Sequence, residues 1–347
     1  MDRLKRIEGC LIGGAAGDAL GYAVEFSRER EIFSSYGPQG ITEFRLNKRL
    51  GKAIVSDDTQ MTMFTAEGLI EAYKAMGEKR CAPRIRQHIA KSYQNWLFTQ
   101  DSLYKSEICD GRSRLCAVPG LYSRRAPGNT CLSTLEARKR LPSPDDYIAD
   151  KRNNSCGCGG VMRVAPIGTI PCDDIRLVDM EAAQAATITH SHSLGYIPAA
   201  IFAHIVHRLV FPIKGLNTLA DIVEESVFTA EKLFEGDENI AKQSDCLHKA
   251  MKLSENHSTD LDNIHLLGEG WVGNEALNIA VYCALRYSDD FSAGIIASVN
   301  HNGDSDSTGA VCGNILGAAL GTDAIGDKWK NDLEMIDELK MLAKDLA

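Results

Sequence analysis

The segment GCLIGGAAGDALG, residues 9–21, has glycine at positions 13, 17 and 21, one every four residues. Near the other end of the chain, GAVCGNILGAALG, residues 309–321, has the same spacing at positions 309, 313, 317 and 321. Residues four apart share one face of an α-helix. Glycine inside a helix costs about 1 kcal/mol relative to alanine, so these rows indicate that the missing side chains let two backbones approach closely. We predict two tightly packed central helices.

The remaining composition and spacing predict an all-α protein. The 347 residues are 44% hydrophobic and 24% charged, as in a globular protein with a large core. Apolar spacing predicts a helix after SDDT at 56–59 and further helices at about 84–97, 181–188, 196–210, 218–234, 273–287 and 332–346. Strand-like alternation is scarce. We expect a single domain over 1–347, with an irregular, loop-rich insertion at about 101–160.

Charge and cysteine content narrow the classes of partner and compartment. A net charge of −9 opposes the neutralisation of phosphates, so we expect no nucleic-acid partner. Asp2, Glu8 and Asp18 interrupt the apolar start of the chain, and no window has the roughly 18 uninterrupted apolar residues of a membrane span. We therefore expect neither a signal peptide nor a membrane partner. Eleven cysteines without C-x-x-C spacing indicate neither a disulfide framework nor a zinc ribbon, and predict a reduced, cytoplasmic protein.

Acidic residues lie close to both glycine rows and in SDDT. They are Asp18, Glu25, Asp57, Asp58, Asp304 and Asp306. If these residues meet, carboxylates within about 4–6 Å of one another take up protons or repel unless a cation neutralises them. Oxygen ligands without neighbouring thiolates favour Mg²⁺, Mn²⁺ or Ca²⁺ over zinc. The sequence therefore predicts a site for a hard divalent cation.

Two other interpretations of the acidic segments are available. In GDSDSTG, residues 303–309, the spacing from Asp304 matches the start of an EF-hand loop, but its twelfth position is Ile315 instead of the closing glutamate. The EF-hand interpretation therefore fails. Aspartate and serine also cap helices, and for either acidic pair alone capping is the simpler explanation. Two such pairs together with the glycine rows favour a metal site.

Five blocks of this sequence resemble, in order, the ADP-ribosylglycohydrolase family, including its dinitrogenase-reductase-activating and arginine-specific types. They are GCLIGGAAGDALGYAVEF at 9–26, SDDTQMT at 56–62, NNSCGCGGVMRVAPIG at 153–168, THSHSLGY at 189–196 and NGDSDSTGAVCGNILGA at 302–318. The resemblance covers nearly the whole chain. It implies an orthogonal helical bundle with two Mg²⁺ or Mn²⁺ ions, and a hydrolase that removes ADP-ribose from modified protein side chains.

The resemblance also assigns site residues by position. The implied metal ligands are Ser56, Asp57, Asp58, Asp304, Asp306 and Ser307, with serine at 56 and 307 where threonine is common in relatives. The implied catalytic residues are Glu25, Asp58 and Asp304. The implied substrate-binding residues are Asn129, Gly157, Gly159, Gly160, Met162, His190, His192, Gly195, Tyr196 and Gly303.

Two features of the loops refine this assignment. The glycine run between Cys156 and Val164 lets backbone amides approach an anion such as the pyrophosphate of ADP-ribose. A tight turn before a helix is an equally good interpretation of the run. Pro127 precedes Gly128 where some relatives carry an acid that acts on the ribose, so the resemblance leaves the details of the mechanism open.

The substrate linkage is suggested by the histidine motif. His190 and His192 followed by Gly195 and Tyr196 are similar to the arginine-directed branch, which favours N-linked ADP-ribosyl-arginine on a protein. The alternatives are a serine-linked or small-molecule ADP-ribose linkage, another phosphorylated nucleoside, or a noncatalytic relative of the lens-crystallin kind. Nine basic residues between 112 and 152 predict either a solvated surface or docking of an acidic face of the modified protein or of an ADP-ribosylating toxin.

Overall fold

The computed structural model describes residues 2–77, 85–105 and 112–347. Numbered in chain order through these residues, the helices are α1 (Arg3–Tyr22), α2 (Glu29–Tyr36), α3 (Asp57–Met76), α4 (Ile85–Asp101), α5 (Asn129–Arg138), α6 (Ile175–Thr187), α7 (Ser193–Val210), α8 (Leu219–Leu233), α9 (Ile240–Ser254), α10 (Asp260–Leu267), α11 (Gly273–Arg286), α12 (Phe291–Val299), α13 (Ser305–Leu320) and α14 (Ile336–Leu346). Two isolated bridges join extended segments within the described ranges. The predicted all-α class is confirmed.

Helices α1 and α13 form the centre and run antiparallel, with their glycine rows facing each other. A Cβ atom on Gly13 would lie 2.3 Å from the carbonyl oxygen of Gly313, and one on Gly17 would lie 1.9 Å from that of Gly309. Real Cβ atoms do not approach backbone this closely, so each larger side chain would force the helices apart. The predicted tight packing of these two helices is confirmed.

The register of this helix pair decides which ends meet. A Cβ on Gly21, near the end of α1, would lie 2.1 Å from the carbonyl oxygen of Ser305, at the start of α13. Glu25 follows α1, and Asp304 and Asp306 flank the first residue of α13. The glycine seam therefore carries these acids to one end of the central pair.

The predicted helices are present, with shifted ends, and further helices escaped prediction. Five of the described helices had no predicted counterpart, namely α2, α5, α9, α10 and α12. In α9 the buried positions include Gln243 and Ser244, so its buried face lacks the apolar spacing on which the prediction depended. The segment 101–160, expected to be irregular, contains helix α5 and contributes the buried side chains of Leu121 and Tyr147 to the core.

Helix α7 and Cys172 concern the expectations about a membrane span and about disulfides. Helix α7 is long and apolar enough to cross a membrane by length and composition alone, and it is buried along its whole length inside the protein. Cys172 is disulfide-bonded, whereas the other eight described cysteines are free. The expectation of a chain without disulfides is therefore wrong at Cys172.

Candidate active site and metal centre

An acidic cavity of about 210 Å³ lies where the end of α1 meets the starts of α3 and α13. Its wall includes five carboxylates, which come from three distant segments of the chain: Glu25, Asp57, Asp58, Asp304 and Asp306. All five are buried, with at most 7% of each residue exposed. The structure thus brings together every acid that the sequence placed in the metal and catalytic sets.

Asp18 fixes the position of SDDT relative to α1. Its carboxylate accepts hydrogen bonds from the backbone amide of Ser56 at 3.0 Å and from that of Thr59 at 3.1 Å. The Ser56 hydroxyl in turn accepts from the Asp58 amide at 3.1 Å and caps α3. Asp18 therefore satisfies the free amides at the start of α3 and holds Asp57 and Asp58 at the cavity.

The cavity acids make few hydrogen bonds with the protein. Asp58 accepts from the Ser307 hydroxyl at 2.7 Å, and Asp57 accepts from the Gly128 amide at 3.3 Å. Carboxylate oxygens of Glu25, Asp304 and Asp306 lie within 4.8 Å of one another. Within the described residues, Glu25 Oε2 and Asp304 Oδ2 are buried without a hydrogen-bond partner.

No basic side chain compensates these charges in the described part of the chain. The adjacent loop contains Arg125, whose carbonyl accepts from the Asp57 amide at 3.0 Å, but its guanidinium pairs with Glu334 at 3.3 Å. Burial, followed by the charge of Asp306, raises the pKa of Asp57 and of Asp58 well above the usual range. The cavity is therefore a cluster of buried acids that take up protons unless a cation neutralises them.

The donor set fits a hard divalent cation. Two carboxylate oxygens lack partners, the acids repel one another, and the hydroxyl of Ser307 lies among them. Cations such as Mg²⁺ and Mn²⁺ take oxygen ligands of this kind and remove the repulsion. Of the predicted ligands, Ser56 does not line the cavity and instead caps α3.

Half of the predicted substrate residues line the same cavity. They are Asn129, Gly157, Gly159, Met162 and His190. The two glycines make room for the His190 ring, because a Cβ on Gly159 would lie 2.7 Å from its Cε1 atom and one on Gly157 would lie 3.3 Å from Nε2. The glycine run therefore has a packing role at the cavity wall.

The other predicted substrate residues lie behind the wall or at helix ends. Gly160 and Gly195 pack together, since a Cβ on Gly160 would lie 2.7 Å from the Gly195 carbonyl oxygen. His192 caps α7 by accepting from the Leu194 amide at 3.1 Å. The Tyr196 hydroxyl donates to Asp237 at 3.1 Å.

The backbone conformation at position 303 requires glycine. Its φ is +120°, and a Cβ there would lie 2.0 Å from the Glu269 carbonyl oxygen. That same carbonyl accepts from the Asp304 amide at 2.8 Å. Gly303 therefore shapes the turn that delivers Asp304, and it does not line the cavity.

Several backbone amides of the glycine run, which were predicted to approach an anion, donate hydrogen bonds within the protein instead. The Gly157 amide donates to the Ser155 hydroxyl at 3.3 Å, and the Cys158 amide donates to the Trp271 carbonyl at 3.2 Å. The Met162 amide donates to the Cys158 carbonyl at 3.1 Å. These three amides already have acceptors within the protein.

Sequence reasoning missed several residues at the cavity. Cys131, Cys158 and Trp271 line it, and Trp271 is 42% exposed. The expectation of a site without neighbouring sulfur is therefore wrong, but burial raises the pKa of Cys158 well above its usual range and keeps it a neutral thiol. Gly270, with a φ of +87°, immediately precedes the tryptophan. This glycine is the only local feature that marks Trp271, and a glycine does not show which surface the following ring faces.

Several of the basic residues between 112 and 152 are paired with acidic side chains of the protein. Arg124 and Lys139 pair with Asp101, and Arg138 and Arg152 pair with Asp150. These ion pairs reduce the positive charge available to an acidic partner. They favour the solvated surface over the docking interpretation.

Comparisons with known proteins agree with this fold and with the family that the sequence resembles. The model of the ADP-ribosylglycohydrolase family matches residues 1–347. The chain is 24% identical to ADP-ribosylhydrolase ARH3 of Mus musculus, over 99% of this chain and 91% of that protein. It is 25% identical to the ADP-ribosyl-dinitrogen reductase glycohydrolase of Rhodospirillum rubrum, over 95% of this chain and 90% of that protein. A solved ADP-ribosylglycohydrolase-related protein complex has the same fold, with a TM-score of 0.64 at 21% identity over 99% of this chain and 98% of that chain.

The helical bundle is therefore the orthogonal bundle that the resemblance implied. The chain belongs to the ADP-ribosylglycohydrolase family. By that membership it is an enzyme of the glycosyl hydrolase class.

Proposed function

We propose that this enzyme is a metal-dependent hydrolase that removes ADP-ribose from modified protein side chains. The observation that carries the proposal is the convergence of five buried carboxylates around one cavity, with two oxygens lacking partners within the described residues. A protein keeps such a cluster at a cost in stability, so the cluster indicates a ligand of opposite charge. Two Mg²⁺ or Mn²⁺ ions are the proposed occupants.

The chain's own residues have separable tasks in this proposal. Asp57, Asp58, Asp304, Asp306 and Ser307 would hold the cations. When bound, the cations supply positive charge that orients ribose hydroxyls and lowers the pKa of a water. A ribose bound in the cavity would have these acids near the positive charge that develops as the glycosidic bond breaks.

Glu25 is the residue best placed to carry the proton. Among the described residues it is the one acid of the cavity wall outside the proposed ligand set, and in the metal-free protein burial, followed by the charges of Asp306 and Asp304, raises the pKa of Glu25 to about 10. A carboxyl group with a raised pKa donates a proton to a leaving group and afterwards accepts one from the attacking water. We therefore assign Glu25 to proton transfer, with Asp58 and Asp304 as the other catalytic acids.

The proposed linkage is N-linked ADP-ribosyl-arginine. Its support is the similarity of THSHSLGY to the arginine-directed branch, and the relative from Rhodospirillum rubrum is by name a glycohydrolase of a modified protein. His192 caps a helix, so within this motif His190 is the histidine that reaches the cavity. Serine-linked ADP-ribose is the second candidate. The cytoplasmic location and the lack of nucleic-acid and membrane partners stay predictions from composition.

The proposal is tested with ADP-ribosyl-arginine, ADP-ribosyl-serine and an ADP-ribosylated protein, each assayed with Mg²⁺, with Mn²⁺ and with EDTA. We expect release of ADP-ribose that falls at least about 100-fold in EDTA and returns when the metal is added back. Faster turnover of the arginine substrate supports the proposed linkage, and faster turnover of the serine substrate replaces it.

The noncatalytic alternative has its own outcome in this assay. Calorimetry of Mg²⁺ and ADP-ribose binding accompanies the kinetics. Binding of both ligands without turnover of any linkage would support a binding protein, and failure to bind Mg²⁺ or Mn²⁺ would remove the metal-dependent mechanism.

A further inference from the structure

Arg163 is a fully buried cation without a carboxylate partner among the described residues. Its guanidinium lies 4.4 Å from the centre of the Tyr93 ring and donates to the carbonyl of Ala185 at 3.3 Å. It also donates to the Thr189 hydroxyl at 2.6 Å. A buried charge held only by neutral groups costs stability, so its position requires an explanation other than ion pairing.

The contact between Arg163 and Thr189 fixes the direction of a second hydrogen bond. A guanidinium only donates, so the Thr189 oxygen accepts, and its single proton remains for another acceptor. The Nδ1 atom of His190 lies 2.8 Å from that oxygen. The thiol of Cys131 also interacts with Thr189, but sulfur is a weaker acceptor than an imidazole nitrogen. The hydroxyl proton therefore points to Nδ1.

A histidine whose Nδ1 accepts a hydrogen bond carries its proton on Nε2 when the ring is neutral. His190 lines the acidic cavity, and its Nε2 edge lies beside Gly157 and Gly159, where any larger side chain would crowd the ring. Within the described residues Nδ1 is the ring nitrogen with a protein partner. Burial, followed by the charge of Arg163, lowers the pKa of His190 to about 3, which agrees with a neutral ring.

We propose that Arg163 and Thr189 are positioning residues that hold His190 as the Nε2–H tautomer, so that the ring donates a hydrogen bond to an oxygen of the ADP-ribosyl group. The ligand in this inference rests on the proposed function, whereas the tautomer does not. Neither Arg163 nor Thr189 lines the cavity, so both act through the histidine.

Nitrogen NMR of protein labelled with ¹⁵N-histidine tests the tautomer at pH 7 without any substrate. We expect His190, assigned by comparison with His190→Gln, to show a proton on Nε2 in the wild type. Thr189→Val leaves Nδ1 without its partner and should give a mixture of the two neutral forms, and Thr189→Ser should restore the wild-type spectrum. A wild-type ring with its proton on Nδ1, or an unchanged tautomer in Thr189→Val, would overturn the proposal.

Thr187→Val is the matched control for the loss of a buried hydroxyl. The Thr187 hydroxyl donates to the Ala183 carbonyl at 2.7 Å within α6, and Thr187, like Thr189, is 0% exposed. We expect this variant to leave the His190 tautomer as it is in the wild type. A change of the same size in both valine variants would mean that a general loosening of the fold determines the His190 tautomer, and not the hydrogen bonds from Arg163 through Thr189.

Binding of ADP-ribose tests the donor role. Loss of one hydrogen bond to the ligand should raise the Kd for ADP-ribose about tenfold in Thr189→Val. The KM should rise with the Kd, and kcat should change less than about threefold. Thr187→Val should bind within about twofold of the wild type. Equal Kd values in the two valine variants would refute the donor role.

A second pair of variants keeps the test decisive if Thr189→Val fails to fold. His190→Gln keeps a donor near the position of Nε2 and should retain more affinity for ADP-ribose than His190→Asn, whose amide lies near the position of Nδ1. The reverse order would overturn the proposal. Absence of ADP-ribose binding in the wild type would reject the ligand together with the proposed function, and the NMR result would still decide the tautomer.

Discussion

Two groups of buried charges in this protein are built in opposite ways. Between α6, α7 and α8, His204 bridges two carboxylates, with Nδ1 2.9 Å from Asp179 and Nε2 3.0 Å from Glu225. Arg208 donates to both oxygens of Glu225 at 2.8 and 2.7 Å. This charge network of two acids and two bases is balanced by protein side chains alone. The five acids of the cavity have no basic partner among the described residues.

The difference separates a structural cluster from a functional one. A buried acid that is paired and hydrogen-bonded supports the fold, and removing one partner leaves an uncompensated charge. A buried cluster of one sign is tolerated where a ligand completes it. The balance of charge, rather than the number of acids, therefore identifies the active site.

The strongest test of this comparison removes one charge from the unbalanced cluster. Asp304→Asn should lower turnover of an ADP-ribosyl substrate by about 1,000-fold, because a metal ligand contributes several kcal/mol to transition-state stabilisation. Metal affinity, measured by calorimetry, should fall with it. In EDTA the free energy of unfolding should equal or exceed that of the wild type, since one repulsive charge is gone.

Asp289→Asn, on the exposed loop before α12, is the control for Asp304→Asn. It should change neither turnover nor metal binding. Full activity in Asp304→Asn would contradict the assignment of the cluster as the active site.

A substitution in the network of His204 and Arg208 should lower stability and leave turnover nearly unchanged. His204→Gln should lower the free energy of unfolding by about 3 kcal/mol, because Asp179 and Glu225 lose the cation between them. Turnover per folded molecule should stay within about twofold of the wild type, since none of these residues lines the cavity. Urea unfolding and activity at a temperature where both proteins are folded provide the measurement. A large loss of turnover without a loss of stability would show that the network acts on the active site.

The pH dependence of the unfolding free energy gives a further test of the network around His204. Burial lowers the pKa of His204, but hydrogen bonds to Asp179 and Glu225 outweigh burial, and the pKa is raised above 6.5. Its contribution to stability is complete below pH 6.5 and is lost as the pH rises through the folded value. Burial raises the pKa of Glu225, but hydrogen bonds from His204 and Arg208 lower it to about 2 from 4.5. Its contribution is present above pH 4.5 and is lost as the pH falls toward 2.

The stability difference between the wild type and His204→Gln should therefore be largest between about pH 4.5 and 6.5. Burial raises the pKa of Asp179, so protonation of its carboxylate also reduces the difference as the pH falls. Urea unfolding at several pH values measures the profile. A difference that grows steadily above pH 7 would contradict the charged state assigned to His204.

The smallest effect is expected at the surface, where charges are exposed to water. Arg140 and Lys151 are exposed, and we expect the double exchange Arg140→Glu and Lys151→Glu to change the unfolding free energy by less than about 1 kcal/mol. Turnover of ADP-ribosyl-arginine and of a modified protein should change equally, by less than about threefold. A selective loss with the protein substrate would revive the docking interpretation of the basic segment.

Much of the central fold was predictable because its determinants are local. The spacing of Gly13 and Gly17, and of Gly309 and Gly313, is visible in the chain, and a helix face follows from a four-residue interval. Helix α9 was missed because polar side chains occupy part of its buried face. Its burial depends on neighbouring helices, and a window of sequence does not contain them.

The candidate site also has a part that the sequence predicted and a part that only the structure shows. The residue types in SDDT and GDSDSTG, taken together with the two glycine rows, were enough to predict a cation site. The roles of Asp18 and His192 as partners of helix starts were not predictable, since each depends on which amide is within reach. Nothing in the local sequence indicates that Thr189 orients His190, because that relay requires Arg163, 26 positions earlier in the chain.

The sequence by itself determined the kinds of groups in this protein: two helices that pack through glycine, and short acidic segments suited to a hard cation. Only the tertiary structure decided that His204 and Arg208 neutralise one pair of buried acids while the acids of the cavity have no such partners in the described chain. The physical reason is distance. Helical spacing is a property of neighbours along the chain, whereas electrostatic compensation depends on which side chains packing brings within a few ångströms.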